Sequence, residues 1–284
     1  KYDLSIIVTA HNEGLYLHKS VLAIKNALEL IPEKQYELIL SLDNPDDETI
    51  RVANIFKKDP NVKIFKSSFG NPADNRNFAL SKAQGKFTSF LDGDDLICQH
   101  WFKNSLETLA KNKSAIVRPE IHAMFGSHMN SLSIWKTRNS SRKEIDAIQM
   151  AYWNPWTLTL IAETKVLKET PFKVPRPGFG YEDYLFNCDI ISKEIPILFA
   201  PRTTIFYRQR PLVSVSTKHA NTILDYSPLF DIKYIKSIKL PKQNDKDSIQ
   251  NMLKKGLKRA YRFAYDTIKK SRHARDILAP VAVK

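Results

Sequence analysis

Two hydrophobic periods alternate along the first hundred residues. Residues 4–10 (LSIIVTA) form a short apolar run rich in β-branched residues, the pattern of a strand covered on both faces. Leu17, Val21, Ile24 and Leu28 then recur at helical spacing until Pro32 stops the helix. Residues 36–42 (YELILSL) predict a second strand, and Asp46 or Asp47 caps a helix carrying Ile50 and Ala53. A short strand over 62–66 follows, then a helix over 72–84 ended by Gly85, then a fourth strand over 86–91 that stops at Asp92. The order βαβαβαβ predicts a mostly parallel, doubly wound α/β sheet flanked by helices. In such sheets ligands bind beyond the carboxyl ends of the strands. Three of the predicted strand ends carry polar clusters: His11-Asn12-Glu13, Asp43-Asn44 and Asp92-Gly93-Asp94-Asp95.

The second half is less regular. A helix is predicted over 99–111, strands and loops over 114–138, and an aromatic loop at Trp153-Asn154-Pro155-Trp156 before the apolar run 158–162. The Pro- and Gly-bearing stretch 171–180 reads as a loop. A helix over 181–191 opens on Glu182-Asp183, and two strands follow over 195–199 and 203–207. A last helix after Lys242 places Ile249, Leu253, Leu257, Tyr261, Ala264 and Ile268 on one face.

Charge divides this pattern in two. Of the formal net charge of +14, residues 233–284 contribute +11 and residues 1–232 only +3. The predicted organisation is therefore one catalytic-type domain over 1–232 and a basic helical extension over 233–284. No apolar run approaches the roughly 20 residues of a membrane span. The chain enters its first strand directly, which predicts no secretory leader. It opens without Met, as a piece of a longer protein would. Cys98 and Cys188 have no CxxC or Cys/His metal spacing, and are expected as two small buried hydrophobes in a reducing compartment. The histidines likewise show no ligand-like pairing.

Asp92-Gly93-Asp94-Asp95 is the strongest chemical signal. Carboxylates crowded at a strand end repel one another unless a cation joins them. A hard divalent ion bound by one or two carboxylates plus substrate phosphates is the usual solution. An Asp-rich turn capping the next helix is the competing explanation.

These segments, taken in order, resemble the family 2 glycosyltransferases, inverting enzymes of the GT-A fold. SIIVTAHNEG (5–14) is similar to the family's opening strand and nucleotide loop, with Thr9 where Pro is frequent. LSLDNPDDET, around Asp43, resembles the strand end that holds the base. ADNRNFAL (73–80) resembles the Arg-Asn helix segment, FLDGDD (90–95) the DxD motif, GYEDYLF (180–186) the Glu-Asp motif and YRQRPLVSVS (207–216) the late loop. The resemblance spans roughly residues 3–217.

The resemblance implies a role for each matching position. Ala10, His11 and Glu13 would line the nucleotide. Asp43 would accept the N3–H of uracil, an edge a carboxylate suits, unless it only caps a helix. Arg76 would contact base or phosphate, or else form a salt bridge; Asn77 would hold the loop or touch ligand. Asp92 would sit near ribose and Asp94 would ligate Mg²⁺ or Mn²⁺, with Asp95 sharing that work or orienting a neighbour. Asp183 would be the general base, with Glu182 in support; an acidic first turn favoured by the helix dipole is the alternative. Arg208 and Arg210 would close over the diphosphate. Many relatives have His where Arg210 stands, and Arg cannot ligate a cation. Trp153, Trp156 and Tyr181 would stack on an acceptor sugar, although large aromatics more often anchor loops or cores.

The implied reaction moves a sugar from a UDP-sugar to a glycan or lipid-linked glycan acceptor in surface-polysaccharide synthesis. The implied setting is cytoplasmic, or peripheral on the inner face of the membrane. The basic extension would dock on anionic lipid or on a further domain, and no nucleic-acid-binding module is recognisable. Two alternatives stand beside this: a degenerate GT-A domain that binds nucleotide or glycan without turnover, and a nucleotidyltransferase. The second usually has a Gly-rich basic loop after its first strand, whereas TAHNEG is acidic with one Gly.

Overall fold

The structure, a computed structural model, describes residues 2–126, 133–136, 154, 156–176, 179–210 and 223–224. The expected alternation holds through the first half: β1 (Leu4–Ala10), α1 (Leu15–Leu28), β2 (Tyr36–Asp43), α2 (Asp47–Ile55), β3 (Val62–Ser67), α3 (Pro72–Lys82) and β4 (Phe87–Asp92). The helix starts follow local chemistry. Asp46 caps α2 by accepting from the Thr49 amide at 2.8 Å, and Asn71 caps α3 by accepting from the Asp74 amide at 2.8 Å. Pro72 fills the first turn, where a missing N–H costs nothing.

Beyond β4 come β5 (Leu96–Ile97), α4 (Trp101–Lys111), β6 (Ile116–Phe125), β7 (Ser133–Lys136), β8 (Leu160–Glu163), α5 (Thr164–Lys168), β9 (Phe179–Gly180), α6 (Glu182–Ser192), β10 (Ile197–Arg208) and β11 (Ile223–Leu224). The main sheet runs β3-β2-β1-β4-β8-β6-β10-β5, with β7 on β6. Its first four strands are parallel. The rest is mixed: β8 is antiparallel to β4 and β6, β10 is parallel to β6, and β5 is antiparallel to β10.

β1 is buried on both faces, and its side chains divide between two cores. Ile6 and Val8 pack with α1 and α4; Ile7 packs with α3 and α6. This is the double winding that an uninterrupted apolar strand predicts. Strand order reverses beside β1, with β2 on one side and β4 on the other, so the ends at Ala10, Asp43 and Asp92 lie together.

Two features depart from the sequence reading. The stretch read as two strands over 195–199 and 203–207 is a single strand, β10, whose register slips between Ala200 and Thr204. Pro201 cannot donate to a ladder, and Arg202 sits at φ 57° with its amide on Glu120. A bulge admits both residues without ending the strand. The apolar run 158–162 enters the sheet only at Leu160, and short α5 follows it. The 233–284 extension lies outside the described residues. Among the described residues, no helix is long and apolar enough to cross a membrane, and Cys98 and Cys188 are free thiols.

Gly85 is where β4 enters the sheet. A Cβ there would collide with the Ser5 backbone nitrogen and lie 2.7 Å from the Leu4 carbonyl carbon, neither of which can move without breaking β1. Gly85→Ala is expected to cost about 2–4 kcal/mol, read as a lowered midpoint in urea; an unchanged midpoint would show that β1 yields at this point.

Candidate functional site at the carboxyl edge of the sheet

The three strand ends, the start of α6 and the end of β10 enclose one pocket of about 570 Å³. Ala10, His11, Glu13, Asp43, Arg76, Asp92, Asp94, Trp156, Tyr181, Glu182, Asp183, Arg208 and Arg210, all singled out from sequence, line it. Trp153 lies outside the described residues.

Close approach of backbones makes the pocket. Gly93 lies where a Cβ would touch Ala10 Cβ at 3.0 Å and the Thr9 carbonyl at 3.1 Å, so the turn after β4 can fold down on β1. His11 Nδ1 donates to the Asp43 carbonyl at 2.6 Å, leaving Nε2 to accept from Asn12 at 3.1 Å. The His11 amide donates to Glu13. Asp43 is buried, and its Oδ1 accepts from the Phe69 amide at 2.7 Å and from Ser67 at 3.3 Å. Asp43 is therefore not the helix cap; Asp46 is.

Arg76 is the hub of the acidic wall. Its guanidinium donates to Glu182 at 2.6 Å and to Asp92 at 3.2 Å, and lies 5.4 Å above the Phe172 ring. Arg76 thus forms the salt bridge of the second reading, and its side chain also lines the pocket. Asn77 closes the other question by bonding both ways to the backbone of Phe172, at 2.7 and 2.9 Å, which makes it a loop clamp. Trp156 is 3% exposed, with Arg118 5.2 Å above its ring and Phe199 tilted against it. It is a packed wall of the pocket, so the expectation of a free stacking platform is corrected. Tyr181 precedes α6 in the left-handed region at φ 66° and turns Glu182 and Asp183 into the site.

The neighbouring aspartates at the end of β4 separate in role. Asp94 lines the pocket, with Oδ2 2.8 Å from Arg210 Nε, an ion pair by distance whose N–H is not aimed along the contact. Arg210 also donates to Glu13 at 2.8 Å and to the Asn12 carbonyl at 3.1 Å. Asp95 is 1% exposed, accepts from the Arg208 amide at 2.9 Å and is no part of the pocket wall. Its bond to the Arg208 amide holds the end of β10 against the turn after β4. Arg208 is held between the Tyr16 and Phe125 rings, each 4.4 Å away, and donates from Nε to the Asp94 carbonyl at 2.9 Å.

Burial is the main force on these acids. It pushes Asp94 up to about 7, against the pull of Arg210 and with added repulsion from Asp92 and Glu13. It raises Glu13 as well, and holds Asp95 well above the ordinary carboxylate range with help from Asp94 and Asp92. Asp183 is pushed up to about 6 by burial and by Glu182, with Arg76 opposing. The wall is short of positive charge. Among the described residues no three His, Cys, Asp or Glu side chains form a metal-ligating group. A protein-only cage is therefore not what these residues make; Asp94, the one Asp of the 94–95 pair on the pocket wall, would need phosphate oxygens to complete a cation site.

Sequence reasoning missed several lining or supporting residues, among them Asn75, Asn154, Tyr207, Arg118 and Asn187. Asn75 lay inside a quoted motif, and its bond from Ser41 at 2.6 Å joins α3 to β2.

Carboxylates gathered at a sheet reversal, opposite an acidic helix start, occupy the place where doubly wound α/β folds bind their ligands. The model of the family "Glycosyl transferase family 2" matches residues 5–168, and the chain belongs to that family. It is 28% identical over 232 residues to an uncharacterized glycosyltransferase of Haemophilus influenzae, covering 80% of this chain and 87% of that protein. It is 23% identical over 185 residues to the poly(ribitol-phosphate) beta-N-acetylglucosaminyltransferase TarS of Staphylococcus aureus, covering 64% of this chain but 31% of TarS. The crystal structure of TarS residues 1–349 in complex with UDP-GlcNAc superposes with a TM-score of 0.57 at 20% identity, covering 73% of this chain and 58% of that one. The structure of GalNAc-T7 with UDP, GalNAc and Mn²⁺ superposes at 0.55 and 14% identity, covering 74% and 44%. These likenesses establish the GT-A fold.

The raised Asp183 carboxyl sets a sign for stability. Between the unfolded value near 4 and the folded value of about 6, the folded chain holds a proton that the unfolded chain has released. The ionised carboxylate therefore weakens the fold fully above pH 6 and ceases to do so below pH 4. Asp183→Asn is expected to be more stable than wild type by on the order of 2 kcal/mol at pH 7.5, with the gain vanishing towards pH 4. Calorimetric melting at the two pH values checks it; a pH-independent difference would contradict the burial argument.

Proposed function

We propose that the chain transfers a sugar from a UDP-sugar to a hydroxyl of a glycan or lipid-linked glycan acceptor, inverting the anomeric centre. The observation that carries this is the meeting, in one pocket, of Asp43 from β2, Asp92 and Asp94 from β4, and Asp183 from α6. The similarity to TarS, a poly(ribitol-phosphate) beta-N-acetylglucosaminyltransferase whose structure holds UDP-GlcNAc, supports the donor class and a polymer of the bacterial surface as acceptor. Since the chain spans only part of TarS, the acceptor is read by class alone.

Asp43 accepts the N3–H of uracil; its Oδ1 is already engaged by Phe69 and Ser67, which fixes the carboxylate plane. Asp92 faces the ribose. Arg208, immobilised between two rings, presents a guanidinium to the diphosphate without an entropic cost at binding. Asp94 would hold a Mg²⁺ or Mn²⁺ ion, which, when bound, supplies charge to stabilise the departing diphosphate. Asp183 takes the proton from the acceptor hydroxyl as that oxygen bonds to the anomeric carbon. The bond from that carbon to the diphosphate oxygen breaks, and UDP leaves with the electron pair. Glu182 acts through Arg76, which keeps positive charge between the base and Asp92.

The ion pair between Arg210 and Asp94 favours a second version of the same reaction, in which Arg210 itself neutralises the diphosphate. We read the setting as cytoplasmic, on the strength of the proposed UDP-sugar donor. The charge of +11 on residues 233–284 supports peripheral contact with anionic lipid or docking on a further domain.

Calorimetric titration of UDP, GDP and CMP, with and without Mn²⁺, separates these versions. Mn²⁺-dependent UDP binding that Asp94→Ala weakens at least 10-fold is the expected outcome. Mn²⁺-independent UDP binding lost in Arg210→Ala would select the arginine version. Preference for GDP would overturn the role of Asp43, and no nucleotide binding by folded protein would leave a degenerate domain. Asp183→Asn should keep UDP binding while UDP release from the true donor falls by about 100-fold or more.

A further inference from the structure

Among the described residues, one deeply buried cation serves no part of the reaction just described. Arg118, on β6, is 1% exposed. Its Nη1 donates to the Thr157 carbonyl at 2.7 Å and its Nη2 to Asn187 Oδ1 on α6. Asn187 Nδ2 donates to Asn154 Oδ1 at 2.7 Å, and Asn154 Nδ2 donates to Asp183 Oδ2 at 2.7 Å. The chain of bonds thus starts on a guanidinium deep in the fold and ends on a carboxylate oxygen in the pocket.

Its direction is fixed by chemistry. A guanidinium only donates, and an ionised carboxylate only accepts. Each amide between them can satisfy both neighbours in one orientation alone. Flipping Asn187 would set its NH₂ against the guanidinium, and flipping Asn154 would set its carbonyl against the carboxylate. Hydrogen bonds aligned in this way polarise one another.

We propose that Arg118, Asn187 and Asn154 form a one-way relay that orients the Asp183 carboxylate and favours its ionised form, making all three positioning residues for proton transfer. The inference rests on the reading of Asp183 as the base. It gives a reason for an arginine in the core: removed from water at real cost, the charge is delivered through two neutral amides to a group 65 residues away in sequence. Burial lowers Arg118 to about 9, and Asp183 is the charge that opposes this lowering. The other charged or titratable groups facing Asp183 are Glu182 beside it, Arg76 from α3, Asp92 from β4 and Tyr207 from β10. The relay acts against the burial that raises the Asp183 carboxyl.

The test is carbon-13 NMR of the full chain with labelled aspartate carboxyls, titrated from pH 4 to 9. The Asp183 signal is assigned by its absence in Asp183→Asn. Its midpoint is expected near 6 in the wild type and near 7 in Asn154→Ala, through loss of one bond to the charged form. Asn187→Asp should raise it similarly, because an aspartate at 187 pairs with Arg118 but cannot donate to Asn154. UDP affinity should stay within about 2-fold of wild type in both, since neither residue belongs to the proposed nucleotide contacts. A midpoint unmoved in Asn154→Ala overturns the relay, and this half-buried loop position keeps the test open even where Asn187→Asp fails to fold. The base reading fails separately, if Asp183→Asn releases UDP from UDP-GlcNAc as fast as wild type.

Discussion

The bridge from Arg76 to Glu182 and Asp92 is the contact on which the two halves of the molecule depend. It spans 106 residues in sequence and ties α3 to the start of α6 and the end of β4. Hydrophobic packing could bring these elements together in several registers. A buried guanidinium shared by two acids accepts only one, because losing the cation leaves both carboxylates uncompensated at a cost of about 3–5 kcal/mol. Burial should depress the Arg76 proton affinity, yet Asp92 and Glu182 reverse that effect and hold it above its ordinary value. Phe172 roofs the guanidinium, and Asn77 clamps the backbone of Phe172, so the loop before α6 is fixed by the same helix that carries the cation.

Around that bridge the site is a problem in unbalanced charge. Glu13, Asp94, Asp95 and Asp183 are all raised, with burial the first cause in each case. The fold alone does not favour these groups ionised; a ligand bringing cationic charge or donors does. The contrast with Glu37 is instructive. That carboxylate is wholly buried between β1 and β3, but bonds from Ser5, Lys63 and the Gln84 amide overcome burial and hold it below its ordinary value. A structural acid is satisfied within the protein, whereas the pocket acids are left in deficit.

What was legible in the sequence followed from local rules. The strands and helices of the first half come from runs and periods that need no partner to be recognised, and Asp46 and Pro72 mark helix starts by short-range chemistry. The polar strand ends converge because a doubly wound sheet must reverse beside β1. Other features depend on residues distant in sequence. Asp94 and Asp95 are adjacent and chemically identical, and only the end of β10, bringing the Arg208 amide to Asp95, separates them. Arg118 reads in sequence as one more basic residue in an irregular stretch. Trp156 reads only as a loop aromatic, sugar platform or core anchor, because Arg118 and Phe199, which cover it, lie 38 and 43 residues away.

The bulge in β10 connects these long-range features. Pro201 and Arg202 break the register with β6, and the strand resumes at Thr204 to run on to Arg208. Thr203 stitches the break by donating to Ala200 at 2.7 Å and accepting from the Glu120 amide at 3.1 Å. Without the slip, side chains beyond it would exchange faces, since a strand alternates with period two. Tyr207 and Arg208 would then trade places relative to the pocket, and Arg210 would lose its approach to Glu13 and Asp94. A left-handed arginine costs on the order of 1 kcal/mol. That cost is small against the alternative, in which Glu13 and Asp94 face the pocket without the guanidinium of Arg210. The strained turn at one end of β10 and the paired charges at the other are therefore parts of a single constraint, which sets which face of the last long strand meets the carboxylates of the first half.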